Sequence, residues 1–99
     1  MNNLLKALKN ENNYEMYQRQ GISYLGVFGS VVRGEDKKES DIDILIDFDE
    51  TKSFFELADI QYYLEEVLDK KVDLVPRKSI KPQIKSFIEK DLVTVYEKV

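Results

Sequence analysis

The stretch Asp41-Ile42-Asp43-Ile44-Leu45-Ile46-Asp47-Phe48 begins as strict alternation of acid and apolar residue and then becomes almost wholly apolar. Side chains along a strand point alternately to its two faces, so this is a strand with Asp41 and Asp43 on one face and Ile42 and Ile44 on the other. Reading outward on the N-terminal side, Tyr24-Leu25-Gly26-Val27-Phe28 is a short apolar run bounded by glycines, the pattern of a buried strand. On the C-terminal side, Lys71-Val72-Asp73-Leu74-Val75 is a third strand stopped by Pro76, and Leu92-Val93-Thr94-Val95-Tyr96 is a fourth. Between the second and third, Leu57, Ile60, Leu64, Val67 and Leu68 recur at three- and four-residue spacing, which predicts a helix from Ser53 to about Lys70. Ser53 and Glu56 form a capping-box pair at its start. Pro82 suits the first turn of a further helix carrying Ile84, Phe87 and Ile88. Up to about Gln20 the chain reads as a helix with Leu4, Leu5, Leu8 and Met16 on one side, or as two short helices, because Asn10, Asn12 and Asn13 weaken its middle. Strands alternating with helices predict an α/β (α+β) domain with a sheet of about four strands, covered by helices on one face.

With 99 residues, 42% hydrophobic and 34% charged, the chain has room for one core, so a single domain over residues 1–99 is expected. All four glycines lie between Gly21 and Gly34, and no repeat or Pro/Gly/Ser linker divides the sequence. No run approaches the roughly 20 apolar residues of a membrane span, and the first residues lack the pattern of a secretory signal, so a soluble, cytoplasmic protein is expected. The chain has no cysteine and no histidine. That removes thiolate sites, imidazole ligands and the commonest general base, leaving carboxylates for catalysis and hard cations such as Mg²⁺ or Mn²⁺ as the metals they suit. A net charge of -4 argues against sequence-independent nucleic-acid binding. The expected partner is a nucleotide, a protein or a small polar acceptor.

Asp41 and Asp43 on one strand face, joined by Asp73 on a strand reached through one helical crossover, are placed to converge. Three such carboxylates repel one another unless cations sit among them. One or two Mg²⁺ ions, which take oxygen ligands and keep coordination sites for substrate phosphates, answer that repulsion. In a two-metal arrangement, ions roughly 3.5–4 Å apart hold the attacking and leaving oxygens of an in-line displacement at phosphorus. Asp41 and Asp43 then bridge metals, and Asp73 serves the metal nearest the acceptor hydroxyl and is the candidate to take its proton. Gly29-Ser30 supplies a phosphate loop, since glycine admits close backbone approach and the helix start that follows presents free N–H groups. Ser30 adds its hydroxyl to the β- or γ-phosphate. Arg33, one helical turn on, reads equally as a contact to the triphosphate and as a structural ion pair.

Gly29-Ser30-x-x-Arg33-Gly34, then Ser40-Asp41-x-Asp43-Ile44, then Val72-Asp73-Leu74-Val75 resembles the polymerase-β-like nucleotidyltransferase superfamily. In size and motif spacing the chain is similar to its minimal nucleotidyltransferases, the MNT antitoxins paired with HEPN-domain toxins, over about residues 24–96. The resemblance implies a mixed-sheet nucleotidyltransferase fold, ATP with Mg²⁺, and transfer of AMP to a tyrosine of a cognate HEPN toxin, an RNase silenced by the modification. It further implies that Ser30 binds the triphosphate, that Asp41, Asp43 and Asp73 are metal ligands, and that the acceptor arrives on another protein in a hetero-oligomer with the toxin.

Three other readings compete. Strand-end carboxylates are commonly just solvated, although Gly29-Ser30 and Asp73 together weigh against that here. A binding module that neutralises a toxin by occlusion needs no catalysis. A transferase for a small antibiotic-type molecule needs a second domain to hold it. Lys37 and Lys38 read as a solvated loop, and Phe54, Phe55, Tyr62 and Tyr63 as core or interface residues.

Overall fold

The computed structural model describes residues 2–35, 37 and 40–98, Asn2 by its backbone only. Its elements are helices α1 (Asn2–Leu8) and α2 (Glu11–Arg19), strand β1 (Ile22–Phe28), the single helical turn α3 (Ser30–Arg33), β2 (Ile42–Phe48), α4 (Phe54–Leu68), β3 (Val72–Pro76), a 3₁₀ turn (Arg77–Ser79), α5 (Pro82–Asp91) and β4 (Val93–Glu97). The sheet runs β3-β2-β1-β4. β1 is antiparallel to both β2 and β4, while β2 and β3 are parallel and joined by α4 as the crossover. This is the mixed four-stranded sheet expected.

The N-terminal segment resolves into two helices. Asn10 breaks them by accepting a hydrogen bond from the Asn12 amide, the cap that opens α2. Asn13, read from sequence as a weak point, is instead buried and fully engaged. Its amide donates to the Ala7 carbonyl and its oxygen accepts from the Tyr63 hydroxyl, so one side chain ties α1, α2 and α4 together. Tyr17 is fully buried beside it and donates to the Leu8 carbonyl at 2.8 Å. Burial raises the Tyr17 hydroxyl well above the ordinary phenol range, so it remains a neutral donor.

The main core lies between these helices, α4 and one face of the sheet. Ile22, Leu25, Val27, Ile42, Ile44, Ile46 and Val95 meet Leu8, Met16, Tyr17, Ile60 and Leu64 there. Burying each such side chain contributes about 1.5–3 kcal/mol. The capping box predicted for α4 is present, with Ser53 and Glu56 exchanging both hydrogen bonds.

The opposite face of the sheet is not bare, as one-sided coverage had predicted. Tyr24 and Leu45 pack there against Ile88 of α5, with Phe28, Val75, Ile80 and Leu92 around them. Coverage is thin, because α5 buries Ile88 alone and leaves Ile84 and Phe87 exposed. Gly26 belongs to this face: a β-carbon there would meet the Tyr24 hydroxyl at 2.7 Å and Leu92 at 2.8 Å, so the missing side chain is what lets those two groups close over β1. The sites expected to be core or interface also divide. Tyr63 packs on the core, whereas Phe54, Phe55 and Tyr62 are exposed.

Candidate active site

Strand register assembles the site. Asp43 stands opposite Asp73 in the parallel β2/β3 ladder and opposite Phe28 in the antiparallel β1/β2 ladder. Gly29 and Ser30 therefore leave β1 beside Asp43, at the end of the sheet where β2 and β3 begin. Asp43 and Leu45 share a face of β2, and Asp41 directly precedes the strand, so the Asp43 carboxylate lies on the thinly covered side of the sheet.

Each residue is held by identifiable contacts. In the loop before β2, the Ser40 hydroxyl accepts from the Lys37 amide at 2.8 Å while the Ser40 amide donates to the Lys37 carbonyl, a closed turn that delivers the chain to Asp41. Lys38 lies outside the described residues. Asp73 follows Val72 on an edge strand whose outer backbone groups are taken up by α4: Gln61 donates to the Val72 carbonyl and Glu65 accepts from the Val72 amide. That fixes the strand end from which Asp73 projects.

Gly29 has φ 86° and ψ -155°, a conformation essentially confined to glycine. A β-carbon built there would collide with Oδ2 of Asp43. The loop backbone and the Asp43 carboxylate are thus in direct apposition, with the Asp43 oxygen in the space a side chain would fill. Beyond Gly29, its carbonyl accepts from the amides of Val32 and Arg33, and Gly34 closes the turn at φ 73° as a left-handed cap.

Asp43 is half-buried, and Asp41 and Asp73 are exposed. Burial, followed by the charges of Asp73 and Asp41, raises the Asp43 carboxyl above the ordinary carboxylate range, with Arg33 opposing the rise. Both neighbouring carboxylates thus act on Asp43. The three acids are gathered at one end of the sheet without enclosing a common point: among the described residues, no three such side chains stand close enough to surround an ion. An all-oxygen, mutually repelling donor set against a glycine backbone is chemically suited to a hard divalent cation.

Arg33 forms the ion pairs of one of its two readings. Its guanidinium bonds Glu35 at 3.0 Å and Asp91 at 2.5 Å, which joins α3 to the end of α5. Asp91 was not legible as a site residue, since it lies 58 positions away and no local spacing links it to the loop. On the same face, Arg77 stacks on the Tyr24 ring at 3.8 Å beside a cavity of about 450 Å³ floored by Leu45, Ile80, Ile88 and Leu92.

A mixed sheet with carboxylates on the leading ends of β2 and β3, facing a glycine-serine turn, defines a nucleotidyltransferase domain, and the model of that domain family matches residues 3–95. The chain belongs to this nucleotidyltransferase family. It is similar to the protein adenylyltransferase MntA of Thermococcus cleftensis, with 43% identity over 81 residues that cover 82% of each protein. A solved structure of a provisionally assigned minimal nucleotidyltransferase superposes with a TM-score of 0.75 at 30% identity, covering 90% of both chains. A chain of the Shewanella oneidensis complex of tri-AMPylated HEPN toxin with MNT antitoxin shares the fold, with a TM-score of 0.66 at 18% identity over 94% of this chain and 73% of that one. No helix among the described residues is long and apolar enough to cross a membrane.

Proposed function

We propose that the chain is a cytoplasmic, single-domain antitoxin that transfers AMP from ATP to a tyrosine hydroxyl of a HEPN-type toxin partner. The observation that carries this reading is the apposition of Gly29 with Asp43, in register with Asp73 and with Asp41 directly before the strand. The protein adenylyltransferase activity of the Thermococcus relative and the AMPylated toxin in the Shewanella complex support AMP as the group transferred and a toxin protein as its acceptor.

Asp41, Asp43 and Asp73 would hold Mg²⁺, which when bound would offset their charge and that of the triphosphate. Ser30 donates its hydroxyl to the β- or γ-phosphate, and the loop backbone at Gly29 lets the phosphates approach. The acceptor oxygen attacks the α-phosphorus as the bond to the β-phosphate oxygen breaks. Pyrophosphate leaves, and the hydroxyl proton passes to Asp73. Arg33, held by Glu35 and Asp91, ties the phosphate-loop turn to the end of α5.

The test is incubation of the chain with radiolabelled ATP, Mg²⁺ and the protein encoded by the neighbouring gene. The partner should become labelled, the label should map to tyrosine by mass spectrometry, and Asp41→Asn with Asp43→Asn should abolish it. Equal labelling by the double variant overturns the assignment of the carboxylates.

A further inference from the structure

Helix α5 and the turn before it break the charge pattern of the molecule. Within a chain of net charge -4, residues 77–91 carry Arg77, Lys78, Lys81, Lys85 and Lys90 against two acids, Glu89 and Asp91, the latter paired with Arg33. Lys85 reaches Glu89 at 3.9 Å and Arg77 reaches Asp47 at 3.8 Å, while Lys78, Lys81 and Lys90 have no ion-pair partner among the described residues. Amid these cations two large apolar side chains face outward, Ile84 at 50% and Phe87 at 70% exposure. Ile84 and Phe87 are neighbours one turn apart on the helix, with Lys81 at its N-cap three residues before and Lys90 three residues after, on an oblique row, a strip that winds around α5.

The position of the strip gives it meaning. Its C-terminal end is anchored by Asp91 to Arg33, in the same helical turn as Ser30. It therefore runs toward the phosphate loop on the face where the Asp43 carboxylate lies, and whatever sits on it sits beside that group.

We propose that this strip is the docking surface for the acceptor protein, and that it recognises an acidic face with an apolar anchor that packs on Phe87 and Ile84. This rests on the transferase reading above only for the identity of the partner. Charge complementarity selects an acidic partner, since unpaired lysines on an otherwise acidic molecule attract anionic surfaces and repel cationic ones. The apolar pair selects a protein: aromatic side chains in the middle of a polar rim are the usual energetic centre of a protein interface. Nucleic acid is disfavoured because the chain as a whole carries a net charge of -4.

The experiment measures binding and labelling separately. Full-length chain and the protein encoded by the neighbouring gene are titrated by calorimetry, and AMP transfer is followed with labelled ATP. Phe87→Ser should weaken binding about tenfold or more, and Lys81→Glu with Lys90→Glu should weaken it similarly and flatten its salt dependence. Both variants should keep a native circular dichroism spectrum and bind a fluorescent ATP analogue as wild type does. Unchanged partner affinity in both variants overturns the docking surface while leaving the transferase reading intact. Binding that responds to the variants without any labelling by wild type upholds the surface and defeats the transferase reading. No binding of that protein by wild type overturns the proposal. So does a wild-type self-association lost in Phe87→Ser, or a Phe87-dependent affinity for short single-stranded RNA or anionic vesicles in place of the protein.

Discussion

Replacing Gly29 with alanine tests the geometry on which the site depends. The backbone there, φ 86° and ψ -155°, costs about 1–3 kcal/mol for any residue with a β-carbon. The new methyl group also occupies the space of the Asp43 carboxylate. Asp43 must then leave its preferred rotamer, which adds about 0.5–1.5 kcal/mol. Together the two effects amount to roughly 1.5–4.5 kcal/mol. For a domain of this size that corresponds to a loss of melting temperature of at least about 6 °C, read by circular dichroism. A second variant separates the two contributions. In an Asp43→Ala background the same Gly29→Ala change should be milder by roughly 1 kcal/mol, because the collision is gone and only the backbone strain remains. A loss below about 2 °C in the single variant refutes the reasoning. Equal losses in the two backgrounds refute the apposition of Gly29 with Asp43.

Asp43→Asn should separate stability from function. The folded state holds the Asp43 proton more tightly than the unfolded chain, so this group's contribution to stability is present below the ordinary value of 3.8 and is lost as pH rises through the raised folded value. In metal-free buffer the variant should accordingly melt higher than wild type at neutral pH, with the gap closing toward pH 4, while AMP transfer is lost; a variant that melts lower at pH 7 contradicts this. Asn13→Ala removes both bonds of the buried amide and strands the Tyr63 hydroxyl, and should cost about 1–3 kcal/mol in urea unfolding with ATP binding unchanged. Leu64→Ala, at a fully buried position on α4, should cost about 2–5 kcal/mol by the same measurement.

What the sequence made legible was whatever is written in local period. The alternation at Asp41 to Ile44 gave both the strand and the face that carries Asp43, and the α4 stripe with its capping box gave the crossover that makes β2 and β3 parallel. Gly29 was legible as a loop residue because a glycine before a serine-led turn has few other uses. Contacts between distant parts of the chain were not legible. Asn13 looks like a helix weakener until Tyr63, 50 residues on, supplies its partner. The ion-pair partner of Arg33, Asp91, lies 58 positions on. The apolar residues of α5 were visible, but not which of them the fold would bury: of Ile84, Phe87 and Ile88, only Ile88 is buried. One-sided coverage of the sheet failed for the same reason, since Leu45 looks equally apolar whichever layer it faces.

The tyrosine arrangement in this fold has a spectroscopic consequence. The chain contains six tyrosines and no tryptophan, so its intrinsic ultraviolet emission comes from phenol rings alone. Tyr14, Tyr17 and Tyr96 form a cluster with ring centres 5.4–5.9 Å apart, where α2 meets β4. Tyr24 lies on the other side of the sheet, beneath Arg77 and hydrogen-bonded to Thr94. The molecule thus carries two native reporters separated by its own sheet. One follows the closing of the N-terminal helices, and the other follows events on the carboxylate face, with no dye or label required.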